Sequence, residues 1–239
     1  MSKPLAVVIM AAGKGTRMKN PDMAKVMYQI NGKPMIEYVV DLAFRLQSQK
    51  TVVIVGWQKE SVIEHLASAA KQVACVEQSP QLGTGHAVMQ AEEPLRDFDG
   101  DVLVLSGDVP MLTLNTVKEL VESHRRESAS ATVLTAILAD ATGYGRVVRD
   151  GKGNVTAIVE HKDSSEEQRA IKEVNSGIYL FDRLVLFDGL RHVTPNNVQK
   201  EYYLTDVFDY FRMKNFKVCA VTARNPHETR GINTVQDLE

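Results

Sequence analysis

Residues 5–10, Leu-Ala-Val-Val-Ile-Met, contain no polar position. A half-exposed strand alternates apolar and polar side chains, whereas a strand with no polar face must be covered on both sides, as in a parallel sheet flanked by helices. A Gly-rich loop follows, and then helical spacing at 34–46, carried by Met35, Val39, Leu42 and Leu46 behind Pro34 at a first-turn position. The same unit recurs. Strands are expected at 51–55, 73–76, 102–105 and 131–138, and helices at 59–70, 85–93 and 114–126. This βαβα order points to an α/β fold: a Rossmann-like, mainly parallel mixed sheet flanked by helices.

The rhythm changes after residue 140. Residues 143–149 and 155–160 read as strands joined by the turn Asp150-Gly-Lys-Gly-Asn154. A strand is expected at 174–181, a helix at 201–213 and a strand at 217–222. No Ser- or Pro-rich linker intervenes, so residues 1–239 read as a single domain, with 141–239 a second lobe added to the sheet of 1–140. Residues 231–239 read as a turn with no closing element.

Composition narrows the function. The net charge of −2 leaves no basic excess for a nucleic-acid backbone. No apolar run approaches the roughly 20 residues a bilayer span needs. The opening Met-Ser-Lys-Pro leads straight into a strand without a signal-peptide pattern, so a cytoplasmic location without membrane insertion is expected. Cys75 and Cys219 lie in apolar runs with no metal spacing and are expected to be buried thiols.

Three loops carry candidate chemistry, each just past an expected strand: Ala11-Ala-Gly-Lys-Gly-Thr-Arg17, Gln78-Ser-Pro-Gln-Leu-Gly-Thr-Gly85 and Ser106-Gly-Asp-Val-Pro110. In an open α/β sheet, ligands bind beyond the carboxyl ends of the strands, so parallel strands bring all three to one edge. Gly13 and Gly15 allow backbone N–H groups to approach an anion, and Lys14, Arg17 and Lys25 add positive charge. The loop lacks the Walker spacing, and Met18 stands at the third glycine of the dinucleotide fingerprint. Gln78 and Gln81 offer amides able to match a base edge. Thr84 suits a helix start, and His86 reads as structural. Asp108 is placed to ligate Mg²⁺ bridging phosphate oxygens.

Taken together, the segments 11–18, Lys25, Gln81-Leu-Gly-Thr-Gly-His-Ala87 and Gly107-Asp-Val-Pro110 resemble the sugar-phosphate nucleotidyltransferases. Thr142-Gly-Tyr-Gly-Arg146, Ile158-Val-Glu-His-Lys-Asp163, Glu173-Val-Asn-Ser-Gly177, Glu201-Tyr-Tyr-Leu-Thr-Asp206 and Gly231-Ile-Asn233 extend the likeness along the chain. Within that family it is most similar to the uridyltransferase half of the bacterial bifunctional N-acetylglucosamine-1-phosphate uridyltransferases/glucosamine-1-phosphate acetyltransferases.

The resemblance implies a nucleotide-diphospho-sugar transferase fold, with nucleotide bound by 1–140 and sugar by 141–239. It implies that UTP and N-acetylglucosamine 1-phosphate give UDP-N-acetylglucosamine and pyrophosphate, with Mg²⁺ as cofactor. It assigns the nucleotide to Ala11, Ala12, Gly13, Gly15, Thr16, Gln78, Gln81, Gly83 and Thr84. Arg17 and Lys25 would act on the phosphates, and Asp108 and Asn233 on the metal. Gly145, Glu160, Asn175, Glu201, Tyr203 and Thr205 would contact the amino sugar, with His161 and Lys162 on a solvated rim. The family's Pro before the lysine is replaced by Ala24, with Pro21 nearby, so the local loop shape is open. The hexapeptide-repeat β-helix that carries acetyl transfer is absent, and that activity is not expected of this chain. The alternatives are a cytidylyltransferase, a glucose 1-phosphate thymidylyl- or uridylyltransferase, and a non-catalytic regulatory subunit of the same fold.

Overall fold

The computed structural model describes residues 3–18, 20 and 22–238; Pro21 and the first two residues lie outside that range. In chain order the elements are β1 (Leu5–Ala11), a short hairpin of β2 (Gln29–Ile30) and β3 (Lys33–Pro34), α1 (Met35–Arg45), β4 (Lys50–Val55) and α2 (Lys59–Ser68). Then come β5 (Ala74–Glu77), α3 (Thr84–Met89), β6 (Asp101–Ser106), α4 (Leu114–Arg126) and β7 (Ala131–Ile137). The second half adds β8 (Arg146–Arg149), β9 (Val155–Val159), α5 (Glu166–Arg169), β10 (Glu173–Asp182), α6 (Arg183–Leu190), α7 (Val207–Met213) and β11 (Val218–Thr222).

The main sheet runs β11-β7-β10-β6-β1-β4-β5, and β8 and β9 branch from β10. β1 pairs in parallel with β4 on one side and β6 on the other. β10 alone runs against its neighbours β6 and β7, and β11 is parallel to β7. The sheet is therefore parallel in its first half, and the second half is stitched on through one antiparallel strand.

The continuous apolar reading of β1 is explained by its two faces. Ala6 and Val8 enter a core covered by α3, α6 and α7, through Val88, Phe187 and Phe208 among others. Leu5, Val7 and Ile9 enter a second core, under α1, α2 and α4. Burying each such side chain contributes about 1.5–3 kcal/mol. α1 turns Met35, Ile36, Val39 and Val40 inward, with Glu37 in its first turn and Arg45 in its last, as the helix dipole favours.

The structure departs from sequence expectation where tertiary contacts override local pattern. α3 ends at Met89 rather than at 93. Residues 201–203, expected as helix, are extended, because Tyr202 N donates to Leu82 O at 2.8 Å and Gly85 N donates to Tyr202 O at 2.7 Å. Helical geometry starts only at the 3₁₀ turn Leu204–Asp206. The strand expected from 143 begins at Arg146, after Gly143 at φ +85°. Cys75 and Cys219 are half-buried rather than buried, since β5 and β11 are the two edges of the main sheet. The chain's last stretch does contain an element, the 3₁₀ turn Val235–Leu238. Among the described residues no helix is long and apolar enough to cross a membrane.

Phe181 is fully buried on β10, with the rings of Tyr179, Phe208 and Phe211 at 5.6, 6.0 and 6.1 Å from its own. Phe181→Ala removes the contact that ties the antiparallel strand to α7. It is expected to lower unfolding free energy by about 3–5 kcal/mol, read from urea denaturation at unchanged m-value.

Candidate active site

β1 and β6 are adjacent and parallel, while the chain after β1 goes outward to β4 and β5 before returning to β6. This is a topological switch point, where the loops leaving two neighbouring strands diverge and open a crevice. A cavity of about 580 Å³ lies there. It is lined by Ala11, Ala12, Gly13, Gly15, Thr16, Arg17, Lys25, Gln78, Gln81, Gly83, Thr84, Asp108 and Asn233. Every residue expected at the nucleotide, the phosphates and the metal is among them.

The Gly-rich loop is shaped by contacts to its own flanks. Gly15 has φ +60°, and a Cβ there would stand 2.6 Å from Cβ of Lys25, so only glycine lets the loop rest on the lysine stem. A Cβ on Gly13 would meet nothing within 4 Å, so that position faces open space. The loop closes in the 3₁₀ turn Thr16–Met18, with Met18 buried beneath it and Met18 O accepting from Tyr28 Oη at 3.0 Å. Ala24 has φ −60° and ψ 136°, the region that proline imposes. Ala24 therefore holds a backbone conformation that a proline could also adopt.

Four polar side chains converge in the cavity. Asn233 Oδ1 accepts from Arg17 Nη2 at 2.7 Å and from Lys25 Nζ at 2.8 Å. Lys25 Nζ also pairs with Asp108 Oδ2. Asn233 Nδ2 donates to Gly231 O at 3.0 Å, which fixes the amide with its oxygen toward the cations. Asp108 and Asn233 thus turn two hard oxygens onto one cation-sized point. Among the described residues no group of three or more His, Cys, Asp and Glu is arranged to hold a metal. One carboxylate and one neutral amide nevertheless fit Mg²⁺, which keeps several waters and takes substrate phosphates as its other ligands.

The second loop is built around Gln78, which is buried. Gln78 Nε2 donates to Gly83 O at 2.9 Å and faces His86 Nδ1 at 3.2 Å. Burial lowers the pKa of His86, because a desolvated imidazole resists its charged form. Gln78 lines the cavity with its amide nitrogen turned toward Gly83 and His86. His86 thus packs against the amide of Gln78. Gly56 was not anticipated: a Cβ there would lie 2.6 Å from Gln81 Nε2 and 2.8 Å from Ala12 O, so glycine leaves room for the Gln81 amide.

The residues expected at the sugar divide into two groups. Gly145, Glu160, Asn175, Tyr203 and Thr205 gather beside the cavity. Thr205 Oγ1 donates to Glu160 Oε1 at 3.1 Å, and a Cβ on Gly145 would stand 3.4 Å from Glu160 Oε2 and 3.5 Å from Asn175 Cβ. Burial raises the Glu160 pKa, partly offset by the Thr205 hydroxyl. Asn175 sits at a register shift of β10, the kind of bulge that re-aims a side chain. Its Nδ2 donates to Tyr179 Oη at 2.6 Å, and its Oδ1 accepts from Gly177 N at 3.0 Å. Burial pushes the Tyr203 hydroxyl up to about 12. Glu201 instead lines the cavity of the Gly-rich loop, where the 201–203 segment packs against Gly83 and Gly85. Ser106, quoted in the third loop but given no role, also lines the cavity, and its Oγ is 3.4 Å from where a Cβ on Gly177 would stand. It bridges the two groups, and its only sequence signal is its place at a strand's carboxyl end.

The chain matches the family model described as nucleotidyl transferase over residues 6–224. It is 46% identical over 226 residues to the bifunctional protein GlmU of Geobacillus sp. (strain WCH70), covering 95% of this chain and 48% of that protein. It is 49% identical over 226 residues to the bifunctional protein GlmU of Exiguobacterium sp. (strain ATCC BAA-1283 / AT1b), covering 95% and 49%. The chain spans about half the length of the curated relatives it matches. A crystal structure of UDP-glucose pyrophosphorylase complexed with UDP-glucose superposes with a TM-score of 0.80 at 19% identity, over 100% of this chain and 96% of that one, which establishes the shared fold.

Asp206 sits beside the Glu160 cluster, half-buried at the start of α7, and its side chain caps nothing. Burial, with repulsion from Asp209, Glu160 and Asp163, pushes its carboxyl from 3.8 up to about 6. The folded state therefore holds this proton more tightly than the unfolded chain. Stability falls as pH rises between those two values, and the cost is fully present above the higher one. Asp206→Asn is expected to raise the melting midpoint at about pH 7.5 and to give little gain at about pH 4. An equal gain at both values would remove the charge as its cause.

Proposed function

The chain belongs to the nucleotidyl transferase family, and from that premise we propose that it joins UTP to N-acetylglucosamine 1-phosphate, releasing pyrophosphate. A phosphate oxygen of the sugar 1-phosphate attacks the α-phosphorus of UTP. The bond from that phosphorus to the β-phosphate oxygen breaks in line, and its electron pair leaves with pyrophosphate. No protein nucleophile is needed, because the task is to align two polyanions and neutralise charge. The observation that carries this reading is the convergence of Arg17 and Lys25 on Asn233 at the switch point, with Asp108 beside them.

Arg17 and Lys25, held together at Asn233, are the cations we assign to the charge that develops on the transferred phosphate. In the free protein they rest on Asn233 and Asp108, so a triphosphate recruits donors already held in place. Asp108 and Asn233 would hold Mg²⁺, which when bound supplies Lewis-acid neutralisation of phosphate oxygens and a template for the two substrates. The amides of Gln78 and Gln81, both in the cavity wall, carry the donor and acceptor groups that a uracil edge requires. The Glu160 and Asn175 cluster supports the sugar assignment, since a carboxylate accepts from hydroxyls and its neighbouring amide keeps a free hydrogen and lone pair. On this reading residues 1–140 carry the nucleotide and 141–239 the sugar, and the protein works in the cytoplasm.

Pyrophosphate release across a panel of nucleotides and sugar phosphates tests the assignment. The fastest turnover is expected with UTP and N-acetylglucosamine 1-phosphate, dependent on Mg²⁺. Preference for CTP or dTTP, or equal use of glucose 1-phosphate, would overturn the substrate choice and leave the reaction class standing.

Arg17→Ala and Lys25→Ala should each lower kcat by about 10²–10³, because they oppose charge that grows in the transition state. A raised KM at unchanged kcat would assign the residue to ground-state binding instead.

A further inference from the structure

Asn233 is six residues from the chain's end, in a segment with little apolar support. The turn Val235–Leu238 that follows it buries no residue, and Val235 is 45% exposed. Hydrophobic packing therefore does not hold the downstream side of Asn233. Upstream, Ile232 is buried and its N–H donates to Asp108 O at 2.9 Å. Downstream the fastening is polar and centres on one side chain. Asp237 Oδ2 accepts from Asn233 N at 3.0 Å, from Thr234 N at 2.8 Å and from Thr234 Oγ1 at 2.9 Å. Asp237 Oδ1 accepts from Arg230 Nη2 at 3.1 Å, so the carboxylate itself is held from behind.

We propose that Asp237 is a positioning residue for the phosphate centre: it touches no substrate, and it sets the backbone of Asn233 so that one amide oxygen meets both Arg17 and Lys25. The proposal rests on the reading of Asn233 as part of the reactive site. Its physical basis is a two-sided clamp. Ile232 ties the segment to the loop carrying Asp108, and Asp237 prevents the next peptide from rotating the amide away. Charge-assisted acceptance from backbone N–H groups is among the stronger hydrogen bonds, and three donors on one oxygen leave the turn little freedom. A misplacement of about 1 Å at a reacting centre can cost roughly 10²-fold in rate, so loss of the clamp should reach turnover without altering the core.

The test is a double-mutant cycle on the full chain, with Asp237→Ala, Asn233→Ala and the double variant. Three quantities are followed: kcat with UTP and N-acetylglucosamine 1-phosphate, UTP affinity by calorimetry in Mg²⁺, and the melting midpoint. Asp237→Ala is expected to lower kcat by about 10- to 100-fold, to weaken UTP several-fold and to leave the cooperative melt near its original midpoint. In the Asn233→Ala background it should add no further loss, because the group it positions is gone. Asp237→Asn, which keeps an acceptor for the two backbone N–H groups, should recover most of the kcat. Losses that multiply in the double variant, or normal turnover in Asp237→Ala while Asn233→Ala is impaired, would overturn the positioning role alone. Normal turnover and UTP affinity in Asn233→Ala would overturn the site reading, and the positioning role with it.

Discussion

The parallel pairing of β1 with β6 is the constraint on which the rest depends. Six residues of β1, Leu5 through Met10, align with Asp101 through Ser106. Both strands are buried on their two faces. In-register parallel strands must end at the same edge, so the Gly-rich loop and the Asp108 loop emerge side by side. Backbone hydrogen bonds continue that alignment past the strands, with Gly107 N donating to Met10 O at 2.9 Å. The anion loop and the carboxylate are therefore neighbours because of the sheet, not because of any attraction between them.

That neighbourhood creates an electrostatic difficulty that the fold resolves locally. Two cations, Arg17 and Lys25, lie close together, sharing one acceptor oxygen. Like charges repel, and in the absence of substrate something must offset them. Asp108 supplies a formal charge, and the Asn233 oxygen supplies a dipole shared between the two. Because the amide is neutral, the centre as a whole keeps a net positive charge and remains attractive to phosphate. A second carboxylate at 233 would cancel it.

The cluster of Glu160, Asn175 and Thr205 depends on a different feature, the single antiparallel strand. β10 enters between β6 and β7 and carries Asn175 at its irregular end, next to Ser106 of β6 through Gly177 at φ +78°. The extended segment 201–203 then closes the other wall by pairing with 82–85. Gly85 is required there, since a Cβ would stand 2.9 Å from Tyr202 O. The two halves of the chain thus share one crevice through backbone contacts, and the polar side chains are carried into it.

The sequence by itself determined the α/β class, the order of strands and helices in the first half, and the residue types at the strand ends. These follow from periodicity and from glycine's conformational freedom, which are properties of short stretches. It also marked Asp108 by its place past a buried strand, and Asn233, 125 positions later, only as a member of a family pattern. Tertiary structure decided that the two oxygens meet at Lys25, that Glu201 lines the same cavity as the Gly-rich loop, and that residues 201–203 are not helical. It decided the exposure of the cysteines too, because an apolar run reads the same at a sheet's centre and at its edge. Each of these outcomes depends on which distant backbone group satisfies a given N–H or C=O, and local sequence pattern carries no record of that partner.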